Sequence, residues 1–291
     1  MAGHRAGART GRPQHDRHVA PGRRGVPVSE GRQAQVEIVA TDRPGAHLVR
    51  VGGRDQSLVD LEDPRHLAFD YVRRIADVVD DHAPAGAALR VLHVGGAGLT
   101  LPRYVAATRP GSWQVVLEPD VALTERVRAE LPLPRRSGIR VRGDDGRTGL
   151  AAVRDDAVDL VVVDAFVDGE VPDDLVTLEA AGELARVLGA GGLALVNVSD
   201  RAPFPLTRDL VAALREHLPH VLVAAEPATL RARRAGNLLV VAGAGAVPRE
   251  ALAARARSAG APYRVLDDVA VASSFGGGRV RRDPAARGGG A

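Results

Sequence analysis

Apolar and polar positions follow two alternating periods along the middle of the chain. Strand-length apolar runs recur between segments whose apolar residues lie three or four positions apart, which is the spacing of one helix face. The runs predict strands at 89–94, 114–117, 139–141, 158–163 and 193–198, and the helical spacing predicts helices at 101–108, 120–131, 175–188 and 206–218. Strands that are apolar throughout and alternate with helices indicate a parallel sheet covered on both faces. We therefore expect an α/β fold built on a doubly wound sheet.

The segments before and after these alternating strands and helices add a small β unit and a final pair of strands to the predicted fold. Short β-like runs separated by glycine turns predict a small N-terminal β unit over residues 34–62. Asp63, which precedes a proline, predicts the start of a helix. Near the other end, strands at 221–225 and 237–241 are joined by a segment too short for a crossover helix, which favours antiparallel pairing. The whole pattern predicts a seven-stranded, mostly parallel sheet within an α/β domain over 63–275.

The positive charge of the chain is concentrated at its two ends. The formal net charge is +3, of which residues 1–33 carry +5, residues 276–291 carry +3 and the remainder carries −5. Both ends are rich in Gly and Arg and lack periodicity, so we expect two disordered tails. An acidic folded part with basic ends does not have the charge distribution of a nucleic-acid groove, and we predict no nucleic-acid partner.

Two residue types are missing from the chain, and their absence limits its chemistry. The sequence contains no cysteine and no lysine, which excludes disulfides, thiolate nucleophiles, cysteine-bound zinc and lysine Schiff bases. The longest apolar runs are far shorter than the ~18 residues of a membrane span. The N-terminal arginines are not followed by the apolar segment of a secretory signal. We expect no membrane partner and a cytoplasmic location.

Three glycines within four residues follow the first predicted strand of the sheet and precede a helix: Gly95, Gly96 and Gly98. Glycine lets the backbone approach a ligand closely and presents N–H groups at the start of a helix. Glu118 ends the next strand 23 residues after Gly95, close to the spacing at which an acidic side chain binds ribose hydroxyls. A tight turn without a ligand and a solvated carboxylate are the alternatives. Because Leu101 stands where a dinucleotide fingerprint needs its third glycine, the pattern favours a nucleoside site.

Acidic residues follow the third and fourth predicted strands of the domain. Asp145, which precedes Gly146, is placed to accept a hydrogen bond from an adenine amino group, and a simple Asp-Gly turn is the alternative. Asp164 directly follows an apolar strand beside the topological switch, where packing does not explain a carboxylate, so we predict that it is catalytic. Asp168 and Glu170 belong to an acidic loop that suits a cationic substrate or is simply solvated.

The order and spacing of these residues over about residues 35–245 resemble the spermidine synthase family. The shared features are Gln56-Ser57 ahead of Asp60, the Gly95–Gly98 turn, Glu118-Pro119-Asp120, Asp145-Gly146, Asp164 with its acidic loop, and Gly191-Gly192. The family has the class I methyltransferase fold, and it transfers an aminopropyl group from decarboxylated S-adenosylmethionine to putrescine. The resemblance implies a spermidine synthase-like transferase with a small-molecule amine as its second substrate, and it leaves room for a homodimer.

The resemblance also implies a role for each candidate residue. Residues that would hold the donor are Gln56, Gly95, Gly96, Gly98, Glu118, Asp145 and Gly146, with Glu118 on the ribose and Asp145 facing adenine. Asp164 would orient the attacking amine and help to remove its proton, because in-line attack on a sulfonium carbon needs a neutral, aligned amine. Asp168 and Glu170 would contact the amine substrate. No metal is implied, and His93, inside a predicted strand, is interpreted as a core histidine.

One departure from the family keeps other functions open. Ala97 or Gly98 stands where the family carries an aspartate that helps to select the free amine of the donor. A methyltransferase that uses intact S-adenosylmethionine is therefore one alternative. A nucleoside-binding protein without turnover is another, although such a protein has no need of a carboxylate at the position of Asp164.

Overall fold

A small antiparallel sheet forms the beginning of the described chain. The computed structural model describes residues 35–167, 169–260 and 262–284. The sheet consists of β1 (Val36–Ala40), β2 (Ala46–Val51) and β3 (Arg54–Asp60), in that order. Its buried side chains, which include Val49 and Val59, pack against the helix that follows the second strand of the main sheet. The expected N-terminal β unit is therefore present.

The main sheet has eight strands, of which five adjacent ones are parallel. In chain order they are β4 (Arg90–Val94), β5 (Trp113–Leu117), β6 (Ile139–Arg142), β7 (Val158–Val163), β8 (Leu188–Asp200), β9 (His220–Ala225), β10 (Gly236–Gly243) and β11 (Arg264–Leu266). The spatial order is β11-β9-β10-β8-β7-β4-β5-β6. β10 pairs antiparallel with both β8 and β9. The predicted fold class is confirmed, and the eighth strand, β11, is an addition whose three residues are too short to give a sequence signal.

Helices cover both faces of this sheet. They are α1 (Asp70–His82), α2 (Thr100–Thr108), α3 (Val121–Glu130), α4 (Gly146–Ala151), α5 (Leu178–Val187), α6 (Pro205–Arg215), α7 (Pro227–Leu230), α8 (Arg249–Ser258) and α9 (Asp268–Phe275). α1, α2 and α8 share one apolar core, whereas α4, α5, α6 and α9 share the core on the other face. None of the helices in the described part of the chain is long and apolar enough to cross a membrane.

The first helix begins later than the sequence pattern predicts. The prediction places its start at Asp63, whereas α1 begins at Asp70. The buried carboxylate of Asp60 accepts hydrogen bonds from the backbone N–H groups of Glu62 and Asp63, at 3.0 Å and 2.8 Å. These bonds fold the chain into a turn directly after β3. The residues that follow therefore cross to the core without helical structure.

The segment after α9 differs from the expected disordered tail over residues 276–284. The backbone carbonyl of Arg281 accepts a hydrogen bond from Leu178 N, and its guanidinium donates to Asp209 at 2.8 Å. The carboxylate of Asp283 accepts from Thr177 Oγ1 at 2.7 Å and from Arg147 Nη2 at 2.5 Å. This segment thus lies against α4, α5 and α6, and its arginines form ion pairs within the fold. The expected N-terminal tail, residues 1–33, lies outside the described residues.

Candidate functional site

The ends of β4 and β7 meet at the carboxyl edge of the sheet, where Gly95 and Asp164 lie side by side. Gly95 has φ +89°, in the left-handed region that favours glycine. A Cβ atom added to it would lie 2.3 Å from the backbone carbonyl oxygen of Asp164, which is closer than any real contact. The N–H of Asp164 in turn donates to Val94 O at 2.9 Å. The structure therefore brings Gly95 and Asp164 together, and their close approach requires a glycine at position 95.

The side chain of Glu118 is hydrogen-bonded to the backbone of the glycine turn. Its Oε2 accepts hydrogen bonds from the backbone N–H groups of Gly96 and Ala97, at 3.0 Å and 3.1 Å, and its Oε1 accepts from Asp120 N at 3.1 Å. The carboxylate is largely buried at the end of β5. Sequence analysis placed Glu118 beside this turn but did not predict that it would bind the turn's own backbone. A carboxylate oxygen has a second lone pair, so this contact is compatible with a hydroxyl ligand.

The N-terminal sheet forms one wall of the same region. The hydroxyl oxygen of Ser57 accepts a hydrogen bond from Gly98 N at 3.1 Å, and Thr100 Oγ1 donates to Leu58 O at 2.8 Å. An added Cβ at Gly98 would lie 2.7 Å from Ser57 Cβ, so this glycine is needed for the close approach of β3. Gln56 precedes Ser57 and is half-buried. β3 thus brings Ser57 to the glycine turn, and the contact of Gln56 with a donor stays a prediction.

Asp145 caps a helix at the end of the next strand. Its Oδ1 accepts a hydrogen bond from Thr148 N at 2.9 Å, which makes it the N-cap of α4. This hydrogen bond from the backbone favours the ionised form and lowers the pKa of Asp145. Gly146 lies under the end of β4, because an added Cβ would be 2.6 Å from Val94 Cγ1. The Asp-Gly turn is therefore real, and it lies at the edge where a nucleoside is expected.

Asp164 is half-buried and is hydrogen-bonded to two neutral side chains that the sequence analysis did not predict as site residues. Its Oδ1 accepts from Asn197 Nδ2 on β8 at 2.8 Å. The hydroxyl of Tyr71 on α1 is its second side-chain hydrogen-bond partner. Burial raises the pKa of Asp164, and it outweighs both hydrogen bonds, which lower that pKa. Burial and the neighbouring carboxyl group raise the pKa of Tyr71.

A signal for each of these two partners exists in the sequence. Asn197 is a polar amide inside the otherwise apolar run of β8, and its side-chain Oδ1 is buried without a hydrogen-bond partner among the described residues. A buried, half-satisfied amide in a strand is unusual and indicates a functional position. Tyr71 is one of only three tyrosines in the chain. Neither signal predicts the contact with Asp164, because the three residues are far apart in sequence.

Of the two acidic residues predicted to contact the amine substrate, Asp168 and Glu170, the structure describes one. Asp168 lies outside the described residues. Glu170 is exposed on the turn that follows β7, where Val167 and Glu170 pair through their backbones. It lines a cleft of about 420 Å³ that also includes Ser199 and Arg201. Its role as a substrate contact stays a prediction.

Histidine 93 has the structural role expected of it. Its ring is buried, and Nε2 lies 2.9 Å from Gln114 Oε1 on the neighbouring strand β5. Burial lowers the pKa of His93 to about 4, so the ring is neutral near pH 7. The prediction of a core histidine is confirmed. Across residues 35–167, 169–260 and 262–284, no three His, Cys, Asp or Glu side chains are grouped closely enough to hold a metal ion.

Comparison with solved structures identifies the fold. The probable spermidine synthase from Corynebacterium glutamicum ATCC 13032 superposes with a TM-score of 0.81 and 26% sequence identity. The match covers 89% of this chain and 96% of that one. The chain has a spermidine synthase-like fold. This conclusion agrees with the order of the strands and with the small sheet that precedes them.

More distant structures agree with the spermidine synthase-like fold. The spermidine synthase from Thermotoga maritima gives a TM-score of 0.55 at 15% identity, and covers 85% of this chain and 82% of that one. A spermidine synthase in complex with the transition-state analogue AdoDATO gives a TM-score of 0.54, also at 15% identity and with the same coverage. No protein-family model matches the sequence, and no curated protein matches it. At these identities, the two spermidine synthases support the fold alone.

Proposed function

We propose that this protein is a transferase that binds an S-adenosylmethionine-type donor and moves its aminopropyl group to an amine. The observation that carries the proposal is Asp164, a half-buried residue whose backbone lies beside Gly95 at the carboxyl edge of the sheet and whose carboxyl group has a raised pKa. In a doubly wound sheet this edge, next to the topological switch, is where ligands bind. The similarity to the probable spermidine synthase from Corynebacterium glutamicum, which extends over most of both chains, supports a transferase of the same class.

The donor is expected over the glycine turn. The exposed face of Gly95 and Gly96 can lie under a nucleoside, while Glu118 accepts hydrogen bonds from ribose hydroxyls and Asp145 accepts from the adenine amino group. These residues come from the ends of β4, β5 and β6, which are adjacent strands. Gln56, on β3, is expected to contact the remaining part of the donor. Decarboxylated S-adenosylmethionine is the expected form, because an aminopropyl group lacks the carboxylate that the same chain carries in the intact donor, and methylthioadenosine is left as the neutral product.

The raised pKa of Asp164 fits a group that accepts a proton. A general base is most effective when its pKa is close to the working pH, and burial moves the carboxyl group of Asp164 in that direction. The amine nitrogen attacks the methylene carbon bonded to sulfur, and the carbon–sulfur bond breaks with its electron pair going to sulfur. The proton lost by the amine passes to Asp164. Tyr71 and Asn197 hold the carboxyl group in place through their hydrogen bonds.

Methyl transfer from intact S-adenosylmethionine is the second candidate function. The glycine turn carries no acidic side chain at Ala97 or Gly98, and the carboxylate nearest to it, Glu118, is already bonded to the turn's backbone. A donor site without a carboxylate for the free amine has less reason to prefer the decarboxylated donor. The missing acidic side chain favours methyl transfer, but this alternative gives Asp164 no stated role.

Calorimetric titration of the purified protein tests the proposal. The ligands are S-adenosylmethionine, its decarboxylated form and methylthioadenosine, and the control variant is Glu118→Ala. We expect the decarboxylated donor or methylthioadenosine to bind most tightly, and Glu118→Ala to weaken both. Tighter binding of the intact donor would instead support methyl transfer. If none of the three ligands binds, the nucleoside site itself is wrong.

A further inference from the structure

The turn that begins at Asp145 opens a short helix with little stability of its own. α4 has six residues, and two of them are glycines, Gly146 and Gly149. A helix this short is marginal in water, and glycine weakens it further. The backbone N–H groups of Arg147 and Thr148 bind the Asp145 carboxylate, the latter at 2.9 Å. The position of this carboxylate therefore depends on contacts that α4 makes with the rest of the domain.

The side chain of Arg147 connects this turn to the C-terminal segment, residues 276–284. Its Nη2 donates to the carboxylate of Asp283 at 2.5 Å, and both side chains are partly buried. Nη1 of the same guanidinium is buried and has no hydrogen-bond partner among the described residues. A partly buried cation with an unsatisfied donor depends on the partner that it has, because loss of that partner leaves its charge unpaired.

Asp283 is itself held by the start of α5. Its Oδ1 accepts a hydrogen bond from Thr177 Oγ1 at 2.7 Å, and its backbone N–H donates to Glu179 Oε2 at 2.9 Å. Thr177 is buried and is the N-cap of α5, since its Oγ1 also accepts from Ala180 N at 3.2 Å. The carboxylate of Asp283 therefore joins the weak helix α4 to the first turn of α5.

Further contacts anchor the C-terminal segment to α6. The guanidinium of Arg281 donates through Nε to Asp209 on α6 at 2.8 Å. An added Cβ on Gly278 would lie 2.0 Å from Arg208 O, so the segment crosses α6 in direct backbone contact and needs a glycine there. Because the segment is fixed on α5 and on α6, the Asp283 carboxylate is held in one place beside α4.

We propose that the C-terminal segment positions the donor site: Asp283, through Arg147, holds the Asp145 turn where it can bind the adenine of the donor. This inference rests on the proposed function, and it makes Asp283 and Arg147 positioning residues. A hydrogen bond to the adenine amino group depends steeply on distance and angle, so a small movement of Asp145 weakens it. Without Asp283 the turn loses this anchor. Adenine recognition should then weaken, while ribose binding by Glu118 should remain.

Calorimetry with a matched pair of nucleosides tests this proposal. Methylthioadenosine and its analogue without the 6-amino group differ only at the donor that Asp145 is expected to bind. We expect the wild type to bind methylthioadenosine about tenfold more tightly, as for a hydrogen bond to a charged group. Asp283→Ala and Arg147→Ala should each reduce this preference to about twofold, and the double variant should reduce it no further, because the two residues act as a unit. The affinity for the analogue should be unchanged in all three variants.

The control is Asp159→Ala, which removes a carboxylate that binds Arg90 at the amino ends of β4 and β7, the opposite edge of the sheet. It should lower the stability of the fold and leave the preference as in the wild type, which separates a general loss of stability from a change at the donor site. An unchanged preference in Asp283→Ala, or an equal reduction in Asp159→Ala, overturns the proposal. So does a wild type that binds both nucleosides equally, although donor binding itself then stands.

Amide hydrogen exchange provides a second measurement that needs no ligand. The N–H groups of Thr148 and Gly149 bind Asp145, and their exchange should be faster in Asp283→Ala than in the wild type or in Asp159→Ala. If neither nucleoside binds the wild type, the proposed function fails, and this comparison alone decides whether the C-terminal segment holds the turn. Equal exchange in the two variants would overturn the inference.

Discussion

Asn197 Nδ2 donates a 2.8 Å hydrogen bond to Asp164 Oδ1, which joins two adjacent parallel strands at their carboxyl ends. The bond favours the ionised carboxyl group, as does the bond from Tyr71, whereas burial opposes ionisation and is the stronger effect. The pKa of Asp164 is raised as the net result. The balance between these opposing effects is what makes the group a candidate proton acceptor, and each effect can be changed separately by mutation.

Replacement of Asn197 by alanine should move the pH dependence of transfer. The substitution removes a hydrogen bond that lowers the pKa of Asp164, so that pKa rises further. The base must be ionised to accept a proton, and kcat/KM falls as the pH drops through its pKa. We therefore expect the acidic limb of the pH profile to shift to higher pH in Asn197→Ala, as measured by steady-state kinetics. Asn237→Ala, on β10, is the control, and an unmoved limb would contradict the assignment.

Asp164→Asn should stabilise the fold at pH 7 while it abolishes turnover. The pKa of this group is higher in the folded than in the unfolded chain, so its contribution to stability is greatest below the unfolded pKa and declines as the pH rises through the folded pKa. The neutral amide has no such decline. Urea unfolding at pH 7 and at pH 4 measures the effect, which should be present at pH 7 and small at pH 4. Turnover should fall by about 10²–10⁴-fold.

Equal or lower stability of Asp164→Asn at pH 7 would show that burial does not raise the pKa of Asp164 as described. Methylthioadenosine affinity serves as the control measurement. It should stay close to the wild-type value, because the proton acceptor does not hold the nucleoside.

Gly95→Ala should be more destabilising than an alanine at another glycine with the same backbone conformation. Gly111 has φ +85° and its added Cβ would have its nearest neighbour 3.9 Å away, so Gly111→Ala reports the backbone strain alone. That strain is expected to cost about 1–2 kcal/mol. Gly95→Ala adds a collision with Asp164 O at 2.3 Å, for which we expect a further ~1–3 kcal/mol. Chemical denaturation of both variants measures the difference, and equal losses would mean that the two strand ends are farther apart.

Asp283→Ala should destabilise the protein although it lies in a segment whose composition resembles a disordered tail. The substitution removes the bonds from Thr177 Oγ1 and Arg147 Nη2, which join the segment to α5 and α4. Because the side chains are partly exposed, we expect a loss of about 1 kcal/mol. Arg282→Ala is the control, since Arg282 is exposed and lies 3.6 Å from Glu179. Its melting temperature should stay near the wild-type value, whereas Asp283→Ala should melt at a lower temperature.

Local patterns in the sequence are enough to predict the class of fold and the edge of the sheet at which a site lies. Strand and helix periods are local properties, so β4 to β8 and their helices could be recognised from the spacing of apolar residues. Glycines such as Gly95 and acidic residues such as Asp164 directly follow predicted strands, and the ends of parallel strands share one edge. The choice of a glycine at Gly95 also follows from local chemistry, because a left-handed turn favours it.

Which side chains meet at that edge depends on how remote segments of the chain pack together. Tyr71 and Asn197 lie 93 and 33 residues from Asp164 along the chain, on α1 and β8, and no local pattern relates them. The same is true of Glu118 and the glycine turn, of Asp283 with Arg147, and of Glu170 and Arg201, which line the same cleft. Hydrogen bonds and ion pairs depend on distances of a few ångströms between remote segments, and those distances are fixed by the packing of the whole domain rather than by neighbouring residues.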